Sequence, residues 1–218
     1  MLPGWIRRPP FLLPGRYPNQ IPSRHFSGIN YNYRENREEF MAQFTVLPAR
    51  KTALLVIDVQ RALFTRPTPV YEDWQMLEKI NGLVELAHLY NLTVIYVQHS
   101  NQSILKEGTD GWMLHPALRP IAGDLFIKKK HGNAFQNTTL QSIMESRGLE
   151  NLIITGMVTQ GCIRATSLGG LELGYKVYLV KGGHSNYDKD APQIIETYEE
   201  ELEKAGVILI NIDELAIS

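Results

Sequence analysis

In Thr52-Ala53-Leu54-Leu55-Val56-Ile57-Asp58-Val59-Gln60, the six residues before Asp58 form a nearly continuous apolar run, half of it β-branched, that stops on an acid. A strand with one wet face would alternate polar and apolar residues. This one does not, so both faces are buried, as in a parallel sheet covered by helices. Similar runs recur at Leu92 to Gln98, Asp124 to Lys128, Asn151 to Gly156, Tyr175 to Lys181 and Val207 to Asn211. Between them, Met76, Ile80, Leu83, Val84 and Ala87 share one helical face, and so do Ile194, Ile195, Tyr198, Leu202 and Ala205. Asp190 with Gln193 three residues on predicts a capping box, Gly206 the end of that helix, and Asn91 and Gly174 left-handed stops for earlier ones. A further helix is expected over Ile163 to Leu173, with Gly169-Gly170 inside it permitting close packing. Alternating units of this kind, joined by right-handed crossovers, specify the α/β class: a three-layer αβα sandwich with a mostly parallel, doubly wound sheet of about six strands.

Working outward, the 218 residues fit one domain with an appendage. Six of the twelve prolines fall at or before Pro22, and no acid precedes Glu35 although Arg7, Arg8, Arg16, Arg24 and Arg34 do. Residues 1–45 therefore read as a Pro/Arg-rich, extended arm and residues 46–218 as the folded domain. The arm carries Trp5, Phe11, Leu12, Leu13 and Tyr17, which suit packing on the body or on a second subunit; a free tail is the other reading. An organellar targeting segment is a third, against which the prolines argue. With 22 basic and 23 acidic residues there is no footprint for nucleic acid or an anionic membrane, and no run nears the roughly 18 apolar residues of a membrane span. One cysteine excludes an intrachain disulfide and a multi-thiolate metal site, and suits a reducing, cytoplasmic setting. The expected partners are a small-molecule substrate and further copies of the chain, as a dimer or tetramer.

Doubly wound sheets bind ligands beyond the carboxyl ends of their strands, where strand order reverses. Asp58 ends the first strand, Lys128-Lys129-Lys130 the third, and Gly156-Met157-Val158-Thr159-Gln160-Gly161-Cys162 follows the fourth. Cys162 at the start of a helix has its pKa lowered by the dipole and by a neighbouring lysine, and an aspartate can take its proton. Each group also has a plainer reading: a turn cap for Asp58, a solvated strand end for the lysines, a small buried hydrophobe for the thiol. Their joint placement favours chemistry. Neither G-x-G-x-x-G nor G-x-x-x-x-G-K-[ST] is present, so nucleotide binding has no support.

The stretch Ala53 to Gln60 with Phe64, Lys129 six residues before Ala134-Phe135, and the Gly156 to Cys162 turn resemble the isochorismatase-like cysteine hydrolases, which include nicotinamidases and N-carbamoylsarcosine amidases. The resemblance covers about Thr52 to Asp213. It implies Asp58 as base, Lys129 beside the thiol, Cys162 as nucleophile, a non-proline cis peptide at Met157-Val158, and backbone N–H groups of Val158 and Cys162 as the oxyanion hole. Strand alternation leaves Lys128 open as the alternative to Lys129. Metal-dependent nicotinamidases carry a histidine two residues after an aspartate in a metal loop. None of His25, His88, His99, His115, His131 and His184 has that spacing, so no metal and no cofactor is expected. Members that open the vinyl ether of isochorismate lack the cysteine, which places this chain nearer the amidases: a thioester mechanism on a small amide, carbamoyl or ureido substrate. A catalytically silent binding protein of the same fold is the alternative. Phe64, Trp112 and His131 are the residues expected to line the substrate pocket.

Overall fold

The six apolar runs form six strands, all but β6 within a residue of their expected ends: β2 (Thr52–Ile57), β3 (Thr93–His99), β4 (Leu125–Lys129), β5 (Asn151–Met157), β6 (Lys176–Ser185) and β7 (Ile208–Ile210). They were identified in a computed structural model that describes residues 44–218. Residues 1–43 of the expected arm, with its proline and aromatic cluster, lie outside the described residues. All neighbours pair in parallel, in the order β4-β3-β2-β5-β6-β7. From β2 the chain steps outward through β3 to β4, then returns to the other side of β2 with β5. Strand order thus reverses between β2 and β5, and the crevice above that pair is the expected ligand position.

Helices cover both faces: α1 (Arg61–Phe64), α2 (Asp73–Leu89), α3 (Leu140–Ser146), α4 (Arg164–Glu172) and α5 (Ala191–Ala205). Alternate residues of β2 serve the two layers. Leu54 and Val56 pack with Met76, Ile80 and Leu83 of α2, whereas Ala53, Leu55 and Ile57 pack with Leu140, Met144 and Leu202 on the other face. All six residues of β2 are buried. Each buried Leu, Val or Ile side chain contributes roughly 1.5–3 kcal/mol. That burial on both faces is why the run lacks alternation.

Four local expectations are corrected. Asp190 is the N-cap of α5 but makes no side-chain capping bond, so the capping box does not form. On α5 only Ala191 and Leu202 are buried; Ile194, Ile195 and Tyr198 are half-covered and Ala205 is exposed, because this helix lies at the rim of its layer. The helix expected from Ile163 begins as a π-helical turn, Thr159–Ile163, that runs into α4. β6 runs four residues past Lys181, because a register shift against β5 between Ile154 and Gly156 lets Gly182-Gly183 pass within the strand. Two short strands unheralded in the sequence, β1 (Thr45–Leu47) and β8 (Leu215–Ile217), pair in parallel. Gly206 and Gly174 do end their helices with positive φ, and Asn91 is left-handed after α2. A Cβ on Gly169 would sit 2.1 Å from the Asn133 side chain, so the close approach of α4 requires glycine there. No helix among the described residues is long and apolar enough to cross a membrane.

Candidate active site

Asp58, the residue after β2, takes a left-handed conformation with φ 53°. Its own N–H still donates to Val97 O of β3 (2.8 Å), and Gln60 N–H donates to its carbonyl (2.9 Å), so the chain turns sharply at the sheet edge. Aspartate tolerates this conformation better than most residues, and strain of this kind concentrates at functional positions. Gly156 faces it across the β2–β5 crevice. With φ 115° and a Cβ that would lie 2.0 Å from Ile57 O, this position admits only glycine and lets β5 press against the end of β2. Beyond it come the cis peptide Met157-Val158 and the turn that carries Cys162.

Lys129 reaches the same crevice from two strands away. Its side chain is buried, and Nζ donates to Asp58 Oδ2 (2.6 Å), to Cys162 Sγ (3.0 Å) and to the His131 carbonyl (3.2 Å), with His99 Nδ1 at 3.2 Å. Lys128 faces outward, pairs with Glu107 and stands over the Trp112 ring. The alternation that could not choose between the two lysines in the sequence separates them in space. Gln60, buried behind the site, fixes the end of β3: its Nε2 donates to His99 O (3.1 Å) and Trp112 O (2.8 Å), and its Oε1 accepts from His99 N–H (2.9 Å).

The electrostatics differ from expectation at the thiol. Burial, and after it the Asp58 carboxylate, push the Cys162 pKa up to about 12, against which Lys129 acts only in part. The helix-dipole expectation is therefore corrected. Desolvation disfavours the thiolate more than the turn and the lysine favour it. The resting site holds a thiol beside a Lys129–Asp58 ion pair. Asp58 Oδ2 is taken by the ammonium, and Oδ1 is buried without a partner among the described residues. The Asp58 carboxylate as a whole lies close to the thiol, since Asp58, His99 and Cys162 each offer an atom within 4.8 Å of the others. Burial and the neighbouring Lys129 lower the His99 pKa, which favours the neutral ring beside the ammonium.

Asp58, His99 and Cys162 could in principle form a metal-ligand trio. Their donor atoms instead converge on Lys129 Nζ, so the cation they enclose is an ammonium of the chain itself, and a metal would have to displace it. The trio does not fit a resident ion.

A cavity of about 230 Å³ opens over the thiol, below the range of drug-sized pockets and suited to a small molecule. Its walls include Asp58, His99, Val158 and Cys162, with Leu63, Leu105 and Met157 supplying apolar surface and Arg66, Asn101 and Tyr187 polar surface. The structure brings Asp58, Lys129, Val158 and Cys162 together. It does not bring Phe64 or Trp112 to this wall. Phe64 turns into the core and packs its ring 4.3 Å from His115, leaving its neighbour Leu63 on the cavity. Trp112 is held in the 3₁₀ turn Asp110–Trp112, where its indole N–H donates to Ser100 Oγ (2.9 Å). His131 contributes only its carbonyl; its ring lies in a separate surface depression with Lys128 and Lys130. Of the cavity residues not anticipated, His99 ends a strand that was, and its place at a carboxyl end was the available signal. Arg66 and Tyr187 sit on loops with no motif to mark them.

A second buried polar group braces the far side of the turn that carries Cys162. His184 of β6 shares a 2.9 Å hydrogen bond between Nδ1 and Thr159 Oγ1, and its Nε2 lies 3.2 Å from Glu199 Oε1 of α5, within ion-pair reach but off hydrogen-bond direction.

Comparison with known proteins follows the same outline. The family described as isochorismatase domain matches residues 52–210. A streptothricin hydrolase of Streptomyces noursei is 31% identical over 148 residues, covering 66% of this chain and 54% of that protein, so the match spans about half of the relative's length. A maleamate amidohydrolase of Pseudomonas putida is 26% identical over 151 residues, covering 61% of this chain and 71% of that one. Among solved structures, one described as an isochorismatase family protein superposes with a TM-score of 0.71 at 27% identity, over 74% of this chain and 99% of its own.

Proposed function

The chain belongs to the isochorismatase family, and from that premise we propose that it is a cysteine-dependent amidohydrolase, cleaving a C–N bond of a small amide, carbamoyl or ureido substrate through a thioester. The observation that carries this reading is Lys129 Nζ within hydrogen-bond distance of both the Asp58 carboxylate (2.6 Å) and the Cys162 sulfur (3.0 Å), at the floor of one cavity. Relatives named as a maleamate amidohydrolase and a streptothricin hydrolase support hydrolysis as the reaction class.

In this mechanism Asp58 Oδ1 takes the thiol proton as Sγ attacks the carbonyl carbon. A thiol with a pKa near 12 is not ionised beforehand, so attack and proton transfer go together. Lys129 remains between the two and keeps sulfur and carboxylate in place. The oxyanion receives the backbone N–H groups of Val158 and Cys162. Collapse breaks the C–N bond, and the departing nitrogen takes the proton from Asp58 and leaves as ammonia or an amine. Water, deprotonated by the same carboxylate, then hydrolyses the thioester and restores acid product and thiol.

An ammonia-release screen over small primary amides, N-carbamoyl compounds and ureido acids tests the reading. Release that is lost in Cys162→Ser is expected. Absence of release from every class, or release that survives the serine variant, overturns it. Chelators are expected to leave the rate unchanged, since the ammonium occupies the centre of the only candidate ligand group among the described residues. Loss with EDTA and recovery with zinc would assign Asp58, His99 and Cys162 to a metal instead.

A further inference from the structure

Arg66 is the cation on the cavity wall, and among the described residues no anion pairs with it. Asp58, the acid of that wall, is already paired with Lys129 at 2.6 Å. Elsewhere Arg61, Arg119 and Arg164 each hold a carboxylate: Asp110, Glu85 and Glu201. No carboxylate among the described residues comes within ion-pair distance of Arg66. The guanidinium is nevertheless placed. Its carbon stands 4.2 Å over the centre of the Tyr187 ring, itself part of the wall. Arg66 is exposed and makes no hydrogen bond among the described residues, so a guanidinium held over the ring still has N–H donors to offer a planar, two-oxygen acceptor.

Both partners of that stack are tied to one anchor. The loop from α1 to α2 that carries Arg66 is pinned at Tyr71, whose carbonyl accepts from Ser185 Oγ (2.6 Å) and whose N–H donates to Asn186 O (2.9 Å). Ser185 and Asn186 are buried at the end of β6, directly before Tyr187. An arginine held in position, unpaired, on the wall of a small cavity is the geometry of carboxylate recognition.

We propose that Arg66, stacked on Tyr187, binds a carboxylate of the substrate, so that the molecule hydrolysed is an anionic one: an amide, carbamoyl or ureido compound with a carboxylate at its other end. This rests on the hydrolase reading for what is cleaved. The anion site itself rests on the cavity and can be tested without turnover. Cys162 is the one cysteine of the chain, so alkylation reports on this cavity alone. Iodoacetate and iodoacetamide differ by one charge, and the ratio of their rates at one pH cancels the thiolate fraction. The ratio is expected to fall about tenfold from wild type to Arg66→Gln, further in Arg66→Glu, and least in Arg66→Lys, with the wild-type preference weakening as salt is added. A ratio that is the same in wild type and Arg66→Gln overturns the anion site.

With an amide substrate in hand, the carboxylate form and its methyl ester are compared. The preference for the carboxylate, as a ratio of kcat/KM, is expected to drop about 10- to 100-fold in Arg66→Gln, mainly through KM. A preference that survives the substitution overturns the proposal. The two readings fail separately: an alkylation ratio that responds to residue 66 in a protein that releases no ammonia supports the anion site and removes the hydrolase, whereas ammonia release indifferent to residue 66 does the reverse.

Discussion

Two buried polar clusters flank the turn Thr159–Ile163, and they are built to opposite rules. On the cavity side, Asp58, Lys129, His99 and Cys162 crowd four titratable groups around one ammonium, with a carboxylate oxygen left unpaired. On the far side, Thr159 bonds His184, whose other ring nitrogen lies within ion-pair reach of Glu199 on α5, and none of these residues lines the cavity over Cys162. The first leaves a proton acceptor unsatisfied next to a thiol; the second ties a loop to a helix. The contrast teaches that burial of polar groups is not by itself a sign of chemistry. A cluster that borders a cavity and carries a thiol is the better candidate.

If that contrast is right, substitutions on the two sides differ in kind as well as size. Cys162→Ser is expected to lose at least ~10³ in kcat, and a thioester adduct should appear by mass spectrometry in wild type with a slow substrate. Asp58→Asn should lose about 10²–10⁴ in turnover, since proton transfer fails in both half-reactions. The same substitution removes a group that raises the thiol pKa, so iodoacetamide should alkylate the variant faster than wild type at pH 8–9. Slower alkylation would place the carboxylate outside the thiol's field and remove it as the base. Below about pH 12 the wild-type thiol is mostly protonated, and its alkylation rate should keep climbing through pH 10 without a plateau.

Lys129→Met separates the clusters by stability. Removing one member of a buried ion pair costs about 3–5 kcal/mol, which for a domain of this size lowers Tm by roughly 6–20 °C by calorimetry. Lys128→Met breaks only an exposed pair with Glu107, which contributes at most about 1 kcal/mol, and should shift Tm by no more than about 4 °C. Equal shifts would show that the two lysines are not divided by burial. On the far side, Thr159→Val is expected to reduce kcat about tenfold with KM within about twofold, since a displaced turn misaims Cys162, and Thr159→Ser should recover most of it. A loss as large as that of Asp58→Asn would erase the distinction between the clusters.

How much of this was legible follows the same division. Every central strand announced itself, because burial on both faces leaves an apolar run that no other element in the chain imitates. That Asp58, a lysine of the 128–130 run and Cys162 would meet at one sheet edge was legible because they stand at or just beyond the ends of those runs, while the choice of Lys129 over Lys128 was not. What could not be read was direction and depth. Phe64 and Leu63 differ by one position, and only the packing of α1 decides which faces the cavity. The sign of the Cys162 shift was misjudged because a sequence displays neighbouring charges but not the loss of water around them. Arg66 and Tyr187 meet from loops about 120 residues apart, with no pattern on either side.

The pairing of Thr52 with Asn151 has a consequence for how the molecule is made. During synthesis β2, β3 and β4 are complete well before β5 exists, and the three can associate with β2 as an outer edge. For that interval the most apolar strand of the protein presents an unsatisfied row of N–H and C=O groups to other chains. The middle of the finished sheet begins as its margin. Pulse-labelled hydrogen exchange during refolding should find the β2 amides that bond to β5 protected late and together with it; early, independent protection would show that the edge is never open.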